Sequence, residues 1–170
     1  SDPKLGTASG KCFDIAPGGW VPLRTSDEFS LGACKTYRVK CFREIGGLVR
    51  QTMGDGIDCH RCRMLGWRAA SFHDEDLRLY EIRPMGSSHK GVCHGRLRWG
   101  QGQYFMGTHW LYACAIAFYR MFERPFIVGG FCIFWGYIRG FLRRVPRYDD
   151  REFRKFLHRW QLSKLNPFSR

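Results

Sequence analysis

The sequence predicts a mixed α/β chain, or α+β if it is a fragment, with strands and short helices first and apolar and amphipathic helices last. Three observations carry this. Short strand-like and helix-like runs alternate between residues 33 and 82. From Trp99 onward the texture turns to long apolar stretches, where the aromatic residues, 16% of the chain, crowd. With 44% apolar and 25% charged residues in a length of 170, the composition is that of a folded protein rather than a disordered one.

The elements follow in chain order. Residues 1–30, rich in Gly, Pro, Ser and Asp with few periodic apolar positions, read as an irregular entry segment. "ACKTYRV" reads as a short strand, since Tyr and Val suit a pleated surface. "KCFREIGG" reads as a short helix stopped by a glycine pair, because glycine takes the left-handed cap conformation cheaply. "DCHRCRMLGW" is a helix with an aspartate near its start and Gly66 at its end. "RAASFHD" is a strand, and "DLRLYEIRPMGSSHKG" is a strand running into a glycine- and serine-rich loop. "QGQYFMGTHWLYACAIAFYRMF" is one long apolar helix, "ERP" breaks it, and "PFIVGGFCIFWGYIRGFLRR" is a second. "DDREFRKFLHRWQLSKL" closes the sequence as a basic amphipathic helix with Phe153, Phe156, Leu157 and Trp160 on one side. Two regions result, 1–100 and 101–170.

The formal net charge of +13 points to a phosphate-bearing partner: nucleic acid, nucleotide or an anionic membrane surface. No RNA- or DNA-binding motif accompanies it, so nucleic acid is not expected. The eight cysteines invite a disulfide reading. Cys114 and Cys132 instead sit inside apolar helical patterns, and no secretory signal opens the sequence, so reduced thiols are expected. The apolar run from Phe126 to Ile138 is too short for a span, which needs ~20 residues. With Arg139, Arg143 and Arg144 snorkelling, it is expected to lie in a membrane interface or to form a re-entrant hairpin with the helix before it. The alternative is a buried helix pair.

"GDGIDCHRCRMLGW" carries the chemistry. A zinc reading of "CHRC" lacks a second cluster, because Cys93 and His94 are adjacent rather than spaced as a knuckle. The carboxylate reading is better. Asp55 sits in a glycine-flanked turn before the helix, and Asp58 lies about one turn later. From the residues alone, a helix cap is the favoured reading of either one.

The series "FSLGACKTYRVKCFREIGGL", "MGDGIDCHRCRMLGWRAASF" and "LRLYEIRPMGSS" resembles, in order, the second half of family 2 glycosyltransferases, from about Phe29 to Gly102. The resemblance implies an inverting enzyme with a GT-A-like mixed sheet and a nucleotide-sugar donor. It implies a polysaccharide or lipid-linked acceptor at the cytoplasmic face of a membrane. Asp55 matches the family's catalytic base, with Asp58 a supporting carboxylate or the cap. Arg83 matches the loop arginine near the diphosphate, where a guanidinium fork suits phosphate oxygens; otherwise it is a surface arginine. Glu81 and Ile82 stand where the family has a histidine pair, so Glu81 is the candidate oxygen ligand for the Mg²⁺ or Mn²⁺ that the resemblance implies. Gly54 stands where the family often has Glu or Trp. Arg96, Arg98 and Trp99 fall where relatives carry a basic, aromatic segment across the cleft, and are candidates for diphosphate contact and sugar stacking; otherwise they form a basic loop before an interfacial helix.

A complete enzyme of this kind opens with a nucleotide-binding region ending in Asp-x-Asp. None precedes Phe29, and "DED" at Asp74–Asp76 falls in the wrong place. The expectation is an acceptor half plus a membrane-proximal tail, with a partner chain supplying the donor-binding half. The alternative function is a non-catalytic membrane-associated module derived from such a half-domain.

Overall fold

The segment before Phe29 forms strands, not an irregular entry. In the computed structural model, which describes residues 2–16, 18–23, 25–82, 91–123 and 125–166, β1 runs over Leu5–Gly10, β2 over Cys12–Ala16 and β3 over Gly19–Pro22. "LGTASG" shows no alternation of large apolar and polar side chains, so the strand period is invisible in it. Close approach replaces bulk. A Cβ on Gly6 would fall 2.6 Å from Cys41 Sγ, and one on Gly10 would fall 1.6 Å from the Leu77 carbonyl oxygen.

The described strands form two three-stranded sheets. One has the order β4-β1-β5, where β4 is Thr36–Tyr37 and β5 is Arg68–Phe72. The other has the order β3-β2-β6, where β6 is Leu79–Glu81. β1 pairs antiparallel with β4 and parallel with β5; β2 pairs antiparallel with β3 and parallel with β6. The chain passes from β1 to β2 at Lys11, a buried lysine whose Nζ is 2.5 Å from Asp27 Oδ1 and donates to the Thr25 carbonyl at 3.2 Å. The architecture is thus mixed α and β, as expected, although "ACKTYRV" yields only two strand residues before the chain turns helical at Val39.

Helix α1, Val39–Glu44, ends at Gly46 and Gly47, both left-handed (φ 76° and 78°), as the glycine pair predicts. Helix α2, Gly54–Met64, ends before left-handed Gly66. Cys41, Ile45 and Cys62 form a core cluster with Tyr37 and Trp67 packed on it.

The chain divides into two compact units: 1–50 with 54–85, and 51–53 with 86–170. This boundary precedes the one expected at residue 100, because residues 92–106 form helix α3, Val92–Met106, and pack along α5, Val128–Leu142. The basic, aromatic segment is therefore the first two turns of a helix. The single long helix expected from residue 101 is two helices, since the chain stops at left-handed Gly107 (φ 85°) and restarts as α4, Trp110–Arg120. His109 caps α4 by accepting from the Leu111 N–H at 3.3 Å. Asp150 caps α6, Arg151–Leu165, by accepting from the Phe153 N–H at 2.8 Å. Phe153 and Leu157 are buried; Phe156 and Trp160 are only partly so.

α3 and α5 meet through glycines. A Cβ on Gly100 would fall 2.0 Å from the Ile133 carbonyl oxygen, and one on Gly136 would fall 2.2 Å from that of Leu97. Tyr104, Ala113 and Tyr137 form the core cluster of this unit. Among the described residues, no helix is long and apolar enough to cross a membrane.

Candidate functional site

The start of α2 is fixed by its backbone. Met53 takes a left-handed conformation (φ 72°), and Gly54 lies so near the preceding chain that a Cβ there would fall 2.1 Å from the Val49 carbonyl oxygen. A glutamate or tryptophan could not replace Gly54 in this setting. The next residue, Asp55, lies in the helix's first turn and is exposed. Unpaired N–H groups at a helix start favour an anion there. Opposite it, Gly32 leaves room: a Cβ at Gly32 would sit 3.1 Å from Asp55 Oδ2.

Asp58, one turn on, has the opposite setting. It is 1% exposed. The Tyr37 hydroxyl donates to its Oδ2 at 2.9 Å, and Lys35 Nζ lies 3.9 Å from the same oxygen. Its Oδ1 is buried with no hydrogen-bond partner among the described residues. Burial pushes the Asp58 carboxyl above the usual carboxylate range, and the Tyr37 hydrogen bond and the Lys35 charge offset this only in part. Burial and the adjacent carboxylate push the Tyr37 hydroxyl up in turn, so it stays a donor.

Lys35 joins the two aspartates. Its Nζ donates to the Asp55 carbonyl oxygen at 2.7 Å and lies 5.6 Å from the Tyr37 ring centroid. Neither aspartate is a helix cap, since no backbone N–H donates to either carboxylate among the described residues. One open carboxylate therefore rests on a sequestered group of Lys35, Tyr37 and Asp58. Lys35 and Tyr37 were not identifiable from the sequence. They stand some twenty residues upstream, and no local pattern marks a lysine or a tyrosine for burial.

The cysteines of "CHRC" point to different partners. Cys62 Sγ lies 3.3 Å from Cys41 Sγ in the core, and Cys59 Sγ lies 3.3 Å from the Ser30 hydroxyl. His60 is buried edge-on against the Phe29 ring, its Nδ1 3.4 Å from Arg63, and burial lowers its imidazole to about 3. All eight cysteines are free thiols.

Glu81 ends β6 directly opposite Asp14 of β2. Burial raises its carboxyl, the hydrogen bond from the Cys12 thiol lowers it, and Asp14 raises it again. Burial and the Glu81 charge push the Cys12 thiol up to about 12. Among the described residues no group of three or more His, Cys, Asp or Glu is arranged to hold a metal ion. Two neighbouring carboxylates still suit a hard cation that takes its remaining ligands from water and phosphate oxygens, as Mg²⁺ commonly does. Asp14 was not identifiable from the sequence, because its segment carries no clear strand period.

Arg83 lies outside the described residues. In the second unit, Arg96 and Trp99 share one face of α3: the guanidinium carbons of Arg96 and Arg120 lie 5.6 and 5.0 Å from the Trp99 ring centroid. Glu123 pairs with Arg120 and lies 4.0 Å from Arg96. Arg98 is exposed, on a different face of the helix. Comparison with protein-family models, with curated proteins and with solved structures returns no match to this chain, so its chemistry rests on these groups.

Proposed function

We propose that this chain carries the acceptor-side chemistry of an inverting glycosyl transfer, with Asp55 as general base. One observation carries the reading: an open carboxylate in the first turn of α2, over a glycine, beside a Lys35–Tyr37–Asp58 group in which Asp58 is buried and Lys35 holds the Asp55 backbone carbonyl. Such a group can take the proton of an acceptor hydroxyl as that oxygen bonds to the anomeric carbon of a nucleotide-sugar. The bond from that carbon to the diphosphate breaks on the opposite face. A positioned base contributes roughly 10²–10⁴-fold. Asp58 acts through Lys35 and Tyr37 and is a positioning residue.

Asp14 and Glu81 would hold a Mg²⁺ or Mn²⁺ ion, which supplies charge neutralisation for the departing diphosphate. The acceptor is a glycan or a lipid-linked saccharide, and a partner chain supplies the rest of the donor site. The ordered motif series from Phe29 supports this reading.

The test is release of nucleoside diphosphate from UDP- and GDP-sugars, with Mg²⁺ or Mn²⁺ and a lipid-linked acceptor, by the chain together with its partner. Asp55→Asn lowers release by about 10² or more while thermal unfolding stays unchanged. Undiminished turnover by that variant removes Asp55 from the reaction.

A further inference from the structure

Helix α5 is built inside out. Its inward positions are Gly129, Gly130, Ile133, Gly136, Tyr137 and Gly140, all buried. Its outward stripe carries the bulk: Phe131 is 58% exposed, Trp135 46%, Phe141 58% and Leu142 65%. Phe131, Trp135 and Leu142 are spaced by four and seven residues, so they share one face, and Phe141 lies at its edge. Phe118 of α4 and Phe122 after it, 64% and 67% exposed, belong to the same unit. Soluble monomers rarely leave an apolar face of this extent in water.

The charges beside this face choose its occupant. Between Met106 and Tyr148 the only acidic residue is Glu123, and it is paired with Arg120. The same stretch carries six arginines, among them exposed Arg143 and Arg144 just past the end of α5. A second copy docked face to face would set these arginines against their own equivalents, because a two-fold interface is self-complementary. An anionic lipid surface accepts both features at once: rings and leucine enter the acyl boundary, and guanidiniums meet the phosphates. At 15 residues, or about 22 Å, α5 falls short of the ~30 Å hydrocarbon core, so it lies in the interface rather than crossing it.

We propose that the aromatic face of α5, with Phe118 and Phe122, is an in-plane docking surface for an anionic bilayer, and that Arg143 and Arg144 contact lipid phosphates. This stands apart from the glycosyl-transfer reading and survives its failure.

The experiment is flotation of the whole chain with phosphatidylcholine vesicles, with and without phosphatidylglycerol. Brominated lipids that quench tryptophan fluorescence report insertion. The chain floats with anionic vesicles at least about tenfold better than with neutral ones, and salt weakens this. Phe131→Ser with Trp135→Ser abolishes flotation and quenching while circular dichroism is unchanged. Arg143→Glu with Arg144→Glu removes the preference for anionic lipid. No flotation with either vesicle overturns the proposal, as does flotation undiminished by the Phe131/Trp135 change. A lipid-free dimer that Trp135→Ser dissociates would reassign the face to a second copy.

Discussion

Asp55 and Asp58 show how three residues of separation can reverse a carboxylate's setting. Asp55 faces solvent from a helix start, whereas Asp58 is enclosed by Lys35 and Tyr37. Lys35→Met removes the cation nearest a buried carboxylate and the donor to the Asp55 carbonyl. Breaking a buried pair from one side costs about 3–5 kcal/mol, to be read as a lower denaturant midpoint at unchanged slope. Tyr37→Phe removes only a hydroxyl, and the cost falls to about 1–3 kcal/mol. If Lys35→Met proves as mild as a surface change, the support is not structural. His60 adds a pH dependence. Its folded value of about 3 lies below the ordinary imidazole value, so the unfolded chain binds its proton first as pH falls. His60 stability is complete above about pH 6.5 and drains between there and about pH 3, at roughly 1.4 kcal/mol per pH unit once the unfolded imidazole is protonated. Asp58 has the opposite sign: its raised carboxyl binds a proton sooner in the folded chain and adds stability as pH falls through that raised value. Denaturant midpoints from pH 7 to pH 4.5 should fall less steeply for His60→Gln than for the parent chain. An unchanged slope would mean that the imidazole protonates in place.

Among the elements, those with punctuation could be read from the sequence. α1, α2 and α6 carry glycine stops or an acidic cap; α1 and α6 form where those signals put them, and α2 stops before Gly66 as expected but starts at Gly54, four residues before the expected Asp58, so that Asp55 lies inside it. β1 could not be read, because at Gly6 and Gly10 neighbouring atoms leave no room for a side chain and so leave no apolar period. α3 was hidden similarly: its buried residues include Gly95, Gly100 and Gly102, so charge and small side chains mask the stripe that usually announces a helix. Of the candidate site, the open carboxylate in "GDG" could be found, while its support could not, since burial of Lys35 depends on contacts across the chain. The glycine seam makes a test at this scale. Gly136→Ala places a methyl group 2.2 Å from the Leu97 carbonyl, against backbone that cannot turn aside. It should destabilise the second unit by about 1–3 kcal/mol or more, despite alanine's better helix propensity. A thermal midpoint equal to or above the parent's would show that α3 and α5 can separate without loss.

For the whole chain, charge and apolarity are arranged rather than merely abundant. Most of the first unit's sequence mixes signs, whereas the stretch from Met106 to Tyr148 holds six arginines against one glutamate. The composition shows that asymmetry, but only the fold shows that Phe131, Trp135 and Phe141 are exposed while the glycines of α5 are buried. A chain built this way should behave as a surfactant. Placed in a drop of buffer without lipid or detergent, it should migrate to the air–water boundary, lower the surface tension and leave the bulk depleted. Its yield from any purification would then depend on the vessel walls and on foaming as much as on expression.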